Sequence, residues 1–334
     1  MSKKLNIAVI GAGYLGNFHS EKYARHPSVN LLSVVDIQEE RAKEISEKYN
    51  TSYTTEYRTL LEGGKVDAVS IVTPTDTHYE IARLCLDAGI DVLIEKPITH
   101  QVWQAEELVR LAQAKGRILQ VGHLERFNSA IQKLPSILTH PLFIECHRLH
   151  PFTHRGTEVD VILDLMIHDL DIILSIVRSH VSKIDAVGVA VLSPLIDIAN
   201  VRLEFQRGCV ANITASRVSL KSMRKIRLFQ PDCYVSVDFQ KAIIEIYKKT
   251  FSPGDRVPEL SAETLSLEKK DALKEEIDAF IGSVQSRTKP LVSGLEALEA
   301  LELARKITDH IQQKTPKHLS HFSFNEGQPS VFHG

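Results

Sequence analysis

In the stretch DLMIHDLD, residues 164–171, three aspartates and one histidine interrupt a run of aliphatic residues. Charge among such residues is costly to bury unless it is paired, so its presence calls for a reason. Placed on a helix, Asp164, His168 and Asp171 fall at i, i+4 and i+7 and form one narrow stripe. Asp169 lies about 140° from Asp164 around the same helix. Neighbours such as Ile162, Leu163, Met166, Leu170 and Ile173 cover most of the remaining surface. A helix apolar on most sides is buried, so the polar stripe must face an internal cleft or a partner. One reading is an Asp–His pair that only stabilises the helix, an effect of about 0.2–0.5 kcal/mol. The other is chemical: Asp164 orients His168 and raises its basicity, and His168 removes a hydroxyl proton as hydride leaves the same carbon.

Hydride needs an acceptor, and the chain opens with a place for one. Gly11-Ala12-Gly13-Tyr14-Leu15-Gly16 follows the strand-like IAVI and opens a helix. Gly11 permits a tight turn, Gly13 lets backbone approach a pyrophosphate, and Gly16 allows the helix to pack closely on the sheet. Asp36, at the end of the next strand, suits the ribose hydroxyls and repels a 2′-phosphate, and no Arg or Lys follows it until Arg41. NAD is therefore expected rather than NADP. Glu95-Lys96-Pro97 closes the fourth strand-like run, on the carboxyl edge where doubly wound sheets bind ligands. A lysine there can hold or relay the proton of a substrate hydroxyl; the alternative is a surface lysine before a turn.

The elements that must position these residues divide the chain in two. Over residues 1–122, short apolar runs (LNIAVIGA, NLLSVVD, DAVSIVT, DVLIEK, RILQVGH) alternate with helical patterns. That is the pattern of βαβ units and a parallel, doubly wound Rossmann sheet. Over 123–334 a strongly apolar helix, roughly 159–178, precedes longer alternating stretches from IDAVGVAVLS to KAIIEIYKK, which predict an open, mainly antiparallel sheet. Helices about 269–287 and 293–313 follow, the second expected to pack back on the first domain. Residues 315–334 read as an extended arm or loose end. The fold class expected is α/β, an NAD-binding domain followed by a substrate-binding and oligomerisation domain.

Composition narrows the function. The chain has 334 residues, 43% hydrophobic and 25% charged, with a formal net charge of -2, so nothing points to a nucleic-acid partner. The basic run from Lys221 to Arg227 reads as solvated surface. No signal peptide and no membrane span are expected, and the widely spaced Cys85, Cys146, Cys209 and Cys233 suit a reducing, cytoplasmic setting. His147, His150 and His154 have spacings that can bind zinc, but no cysteine or carboxylate completes a set, and no metal is expected.

Together GAGYLG (11–16), the segment 70–97 ending in EKP, DLMIHDLD (164–171) and SGLEALEALELARKI (293–307) resemble the Gfo/Idh/MocA family of oxidoreductases. The resemblance implies that Lys96, Asp164 and His168 are the catalytic set. It implies an NAD site that includes Tyr14, Leu15, Thr73, Pro74, His78, Glu95 and Lys96 beside the glycines and Asp36. Many members carry glycine where Met166 stands. GHLERFN (122–128) looks most like the nucleotide-sugar branch, whose members oxidise the 3-hydroxyl of UDP-N-acetylglucosamine or a related UDP-sugar for lipopolysaccharide or lipid A synthesis. Arg126 and Asn128, with Lys96, Asp164 and His168, are then expected at the substrate, and Arg148 and Arg155 at its diphosphate. An inositol or free-sugar dehydrogenase is the alternative within the family, and a non-catalytic NAD(H)-binding sensor the alternative outside enzymes. Relatives assemble through the sheet, so a homodimer or homotetramer is expected.

Overall fold

The computed structural model describes residues 4–153, 159–250 and 259–314. Six parallel strands form the first sheet: β1 (Leu5–Ile10), β2 (Val29–Val35), β3 (Ser52–Thr54), β4 (Ala68–Ile71), β5 (Asp91–Glu95) and β6 (Leu119–Gly122). Their order is β3-β2-β1-β4-β5-β6, so chain direction across the sheet reverses between β1 and β4, the switch point where such sheets bind ligands. The strands are short apolar runs because both faces are covered: Ala8, Val9, Val69, Val92 and Ile94 are fully buried. Helices α1 (Tyr14–Arg25) and α2 (Glu39–Tyr49) pack with the core of Ile7, Val9 and Leu93, while α3 (Thr75–Asp87) and α4 (Val102–Lys115) cover the opposite face. The short edge strand β3 has little apolar pattern of its own and was not among the expected strands.

A short helix α5 (Ser129–Lys133) leads into the second sheet, which begins with β7 (Phe143–Leu149). The helix expected over 159–178 is interrupted: Ile162–Met166 form a π turn, and only then does α6 (Ile167–Val177) run as a regular α-helix. Strands β8 (Val181–Val189), β9 (Ile198–Phe205), β10 (Val210–Ser216), β11 (Met223–Phe229), β12 (Cys233–Asp238), β13 (Ile243–Thr250) and β14 (Glu259–Ser266) complete the sheet. The order is β14-β13-β12-β11-β7-β10-β9-β8, antiparallel except where β7 and β10 run parallel. Alternation is clean in β7, whose Ile144, Cys146 and Arg148 point inward and are buried. On the other face Phe143, Phe229, Tyr234 and Tyr247 form a row of neighbouring rings 4.8–5.6 Å apart across four strands.

Two last helices tie the halves together. α7 (Ala272–Ser286) buries Ile277, Phe280 and Ile281 in the core beside α1. α8 (Gly294–Lys314) packs against α4 at one end and α6 and β8 along its length. Gly294 makes that approach possible, since a Cβ there would sit 2.6 Å from Leu119 Cδ2. Residues 315–334, expected as an arm, lie outside the described residues, as do His154 and Arg155.

Candidate active site

The cofactor cradle grows from the β1–α1 turn. Gly11 has φ +106°, and a Cβ on it would come within 2.6 Å of Val72 O, so the turn requires glycine. A Cβ on Gly16 would strike Gly11 O, which is how closely α1 crosses the strand end. Gly13 differs: a Cβ there meets nothing within 4 Å, so the space beside its backbone is open. That open space at a helix N-terminus fits a pyrophosphate. Asp36 completes the fit. Its Oδ2 accepts from Ala12 N at 2.8 Å and its Oδ1 from Gln38 N at 2.9 Å, fixing a half-buried carboxylate whose remaining lone pairs can take ribose hydroxyls. Tyr14 and Pro74 are exposed at the rim, and Leu15 and Thr73 half-buried beside them.

His78 departs from the expectation of a cofactor contact. It is 1% exposed, with Nδ1 3.0 Å from Pro97 O and Nε2 2.9 Å from Thr73 O. Burial lowers its pKa against the pull of the two carbonyls, and the neutral ring, with a single N–H, donates to one of them at a time between the Lys96–Pro97 turn and the end of β4. Glu95 is likewise tied to protein groups. Its Oε1 lies 3.3 Å from His19 Nε2, and the side chain passes over Gly122, where a Cβ would be 3.0 Å from Glu95 Oε2.

The chemistry converges on Lys96. Its Nζ donates to the Asp164 carbonyl oxygen at 2.9 Å and to Asp164 Oδ1 at 3.4 Å, joining the first sheet to the π turn. Such turns insert an extra residue into the helix and recur at functional sites. The insertion also changes the expected geometry. No side-chain hydrogen bond joins Asp164 to His168 among the described residues, and the Nδ1 of His168 is buried without a partner among them. The expectation that Asp164 raises the basicity of His168 is therefore corrected. Burial, then the charges of Lys96 and Arg148, hold His168 well below the ordinary value. The half-buried imidazole is neutral and available to accept a proton.

The other two aspartates of the stretch carry ion pairs. Asp169 accepts from Arg148 Nε at 2.9 Å and Nη2 at 2.8 Å, while Arg148 Nη1 donates to Glu125 at 2.9 Å. Arg148 is 4% exposed, so its expected role at a diphosphate is corrected: the fork is already filled by protein carboxylates. Asp171, 2% exposed, accepts from Arg126 Nη1 at 3.2 Å, an ion pair that engages one arm of the guanidinium. Burial outweighs the nearby His123 and Arg126 and keeps Asp171 above the ordinary carboxylate value. Asn128 is the N-cap of α5, its Oδ1 accepting from Ala130 N at 2.9 Å, again a structural use of an expected substrate contact.

One residue was missed. His123 follows β6, is 1% exposed, and neither ring nitrogen has a partner among the described residues. Its ring stands edge-on to that of His168, centroids 6.2 Å apart, and burial lowers its pKa. Its place at the carboxyl end of a parallel strand was the available signal. No helix among the described residues is long and apolar enough to cross a membrane, and no group of three or more His, Cys, Asp or Glu among them has the arrangement of a metal site.

Residues 5–123 match the family model described as an oxidoreductase family with an NAD-binding Rossmann fold. UDP-N-acetylglucosamine 3-dehydrogenase of Acidithiobacillus ferrooxidans is 36% identical over 304 residues, covering 91% of this chain and 96% of the relative. A solved structure of that enzyme superposes with a TM-score of 0.87 over 93% of this chain and 99% of its own. Myo-inositol 2-dehydrogenase of Thermotoga maritima is 26% identical over 93% of this chain and 97% of its length.

Proposed function

The chain belongs to the Gfo/Idh/MocA family of NAD-binding oxidoreductases, and on that premise we propose that it oxidises the 3-hydroxyl of UDP-N-acetylglucosamine, or of a closely related UDP-sugar, to a ketone. It is an NAD-dependent enzyme acting on a CH–OH group. The observation that carries the substrate reading is the 36% identity sustained over nearly the whole of both chains. The inositol dehydrogenase of similar span is more distant.

The residues divide the work as follows. Gly11, Gly13, Gly16 and Asp36 would hold NAD, which accepts the hydride. Lys96, positioned by the carbonyl and carboxylate of Asp164, presents its ammonium to the reacting hydroxyl and orients it. His168, kept neutral by burial and surrounding cations, takes the proton as the C–H bond breaks. The base must be unprotonated, so kcat/KM falls as pH falls through the pKa of His168, and the acid limb lies well below the ordinary histidine value. An acid limb at or above that value would displace His168 from the role.

The substrate suits an early, cytoplasmic stage of lipopolysaccharide or lipid A sugar assembly. The uncovered aromatic row on the second sheet is the surface through which we expect copies to pair. NADH formation with UDP-N-acetylglucosamine, UDP-uronates and inositols tests the reading. Turnover of UDP-N-acetylglucosamine is expected; turnover of an inositol alone would overturn it.

A further inference from the structure

Three arginines gather beside the candidate site, Arg148 and Arg224 on the inward row of the second sheet and Arg126 in the turn after β6, and two are committed internally. Arg148 is held by Asp169 and Glu125, and Arg126 by Asp171. Arg224 is different. It lies on β11 directly opposite Arg148 in antiparallel register, in the same inward row as the fully buried Ile226 and Leu228. Its side chain is nevertheless 45% exposed. Among the described residues its hydrogen bond is one long contact, Nη1 to Glu125 Oε1 at 3.5 Å, and that oxygen already accepts from Arg148 at 2.9 Å. A shared, half-exposed contact of this length holds the guanidinium weakly. Releasing it leaves Glu125 still bonded to Arg148.

The position points at the chemistry. Glu125 leads through Arg148 to Asp169, the residue after His168, and Arg224 is among the cations whose charge is felt at His168. A row of buried side chains thus emerges at the rim of the site as a planar fork with donors to spare. The turn before β11 adds the exposed Lys221, and two apolar side chains stand out into solvent beside it, Leu220 at 99% and Met223 at 40% exposure.

We propose that Arg224 is the anchor for the substrate's diphosphate, donating both arms of its guanidinium to phosphate oxygens, with Leu220 in the preceding turn offering an apolar surface to the base beyond. The assignment rests on the UDP-sugar reading above. It moves the diphosphate contact from Arg148 to its cross-strand neighbour and gives part of the basic 221–227 run a use. Arg227, on the opposite face with Glu145, has no share in it.

The test is calorimetric titration of the full-length, NAD-loaded enzyme with UDP and with uridine, alongside KM for UDP-N-acetylglucosamine. Wild type binds UDP more tightly than uridine. R224A is expected to lose roughly 10- to 100-fold in UDP affinity and to raise KM similarly, with uridine and NAD binding retained. R224K falls between, because an ammonium keeps charge but not the fork, and R227A matches wild type. Wild-type binding of UDP with unchanged affinity in R224A would overturn the anchor and leave the substrate reading standing. Wild type that neither binds UDP nor turns over a UDP-sugar would remove the substrate reading itself, and the anchor with it. If R224A does not fold, R224K decides: undiminished UDP affinity there refutes the fork.

Discussion

Glu95 and Lys96 are consecutive at the end of β5, yet their side chains enter two polar regions of opposite design. On the Lys96 side each carboxylate of the 164–171 stretch faces a cation: Asp164 with Lys96, Asp169 with Arg148, Asp171 with Arg126. On the Glu95 side, Glu95 meets His19, whose Nδ1 reaches Ser70 Oγ at 3.2 Å, and Ser70 in turn meets Tyr23 at 2.7 Å. Behind them Glu276 of α7 is fully buried, and neither of its carboxyl oxygens has a partner among the described residues. Burial alone would raise Glu95, but the His19 hydrogen bond and the charges of His19 and Lys96 hold it below the ordinary value. Burial, with the charge of Glu95 added, pushes Glu276 well above. One side matches charges in pairs and leaves a neutral base among them. The other keeps a proton on a carboxyl.

The largest effect expected of this contrast is on the reaction. His168→Ala should lower kcat by about 10²–10⁴-fold with NAD affinity unchanged, the range for loss of a general base. Steady-state rates together with NAD titration check it. Near-normal turnover would mean that the paired side exists for structure alone. Next comes Arg148→Met, which strands Asp169 in the core. Removing one partner of a buried pair costs about 3–5 kcal/mol, read as a shift in the urea or thermal unfolding midpoint. A substrate-binding arginine would instead raise KM and leave unfolding unmoved, so this variant separates the corrected role from the one first expected.

What was legible in the sequence follows from how far each interaction reaches. The glycine turn with Asp36 is set within a single β–α–β unit, and it reads directly. The apolar run with its aspartates also reads, because burial is written in the composition around it. Its partners do not. Arg126 and Arg148 look like ligand contacts until the fold brings Asp171 and Asp169 beside them, since an arginine carries no local mark of whom it will pair with. The π turn at Ile162–Met166 is likewise invisible to a 3.6-residue template, and the side-chain pair which that template suggests between Asp164 and His168 is not made among the described residues. His19 and Glu276 lie almost at opposite ends of the chain and meet the Glu95 neighbourhood only after α1 and α7 pack on the same face of the sheet.

The smallest expected effect tests the Glu95 side, and its sign depends on pH. The folded-state pKa of Glu276 is raised above its unfolded value, so folding favours the protonated form. Its contribution is favourable below the unfolded pKa and is lost as pH rises toward the folded one. Wild-type stability should therefore decline over the range above the ordinary carboxyl value of 4.5, where the unfolded chain ionises this carboxyl and the fold resists doing so. Glu276→Met keeps the volume and removes the unpartnered polar group, worth about 1–3 kcal/mol of desolvation cost. The variant should gain on wild type at pH 8 and gain less at pH 5, measured by urea unfolding at each pH. A loss at both pH values would show that the carboxyl has a partner which the buried geometry conceals, and the two sides of Glu95–Lys96 would then be alike in pairing their charges.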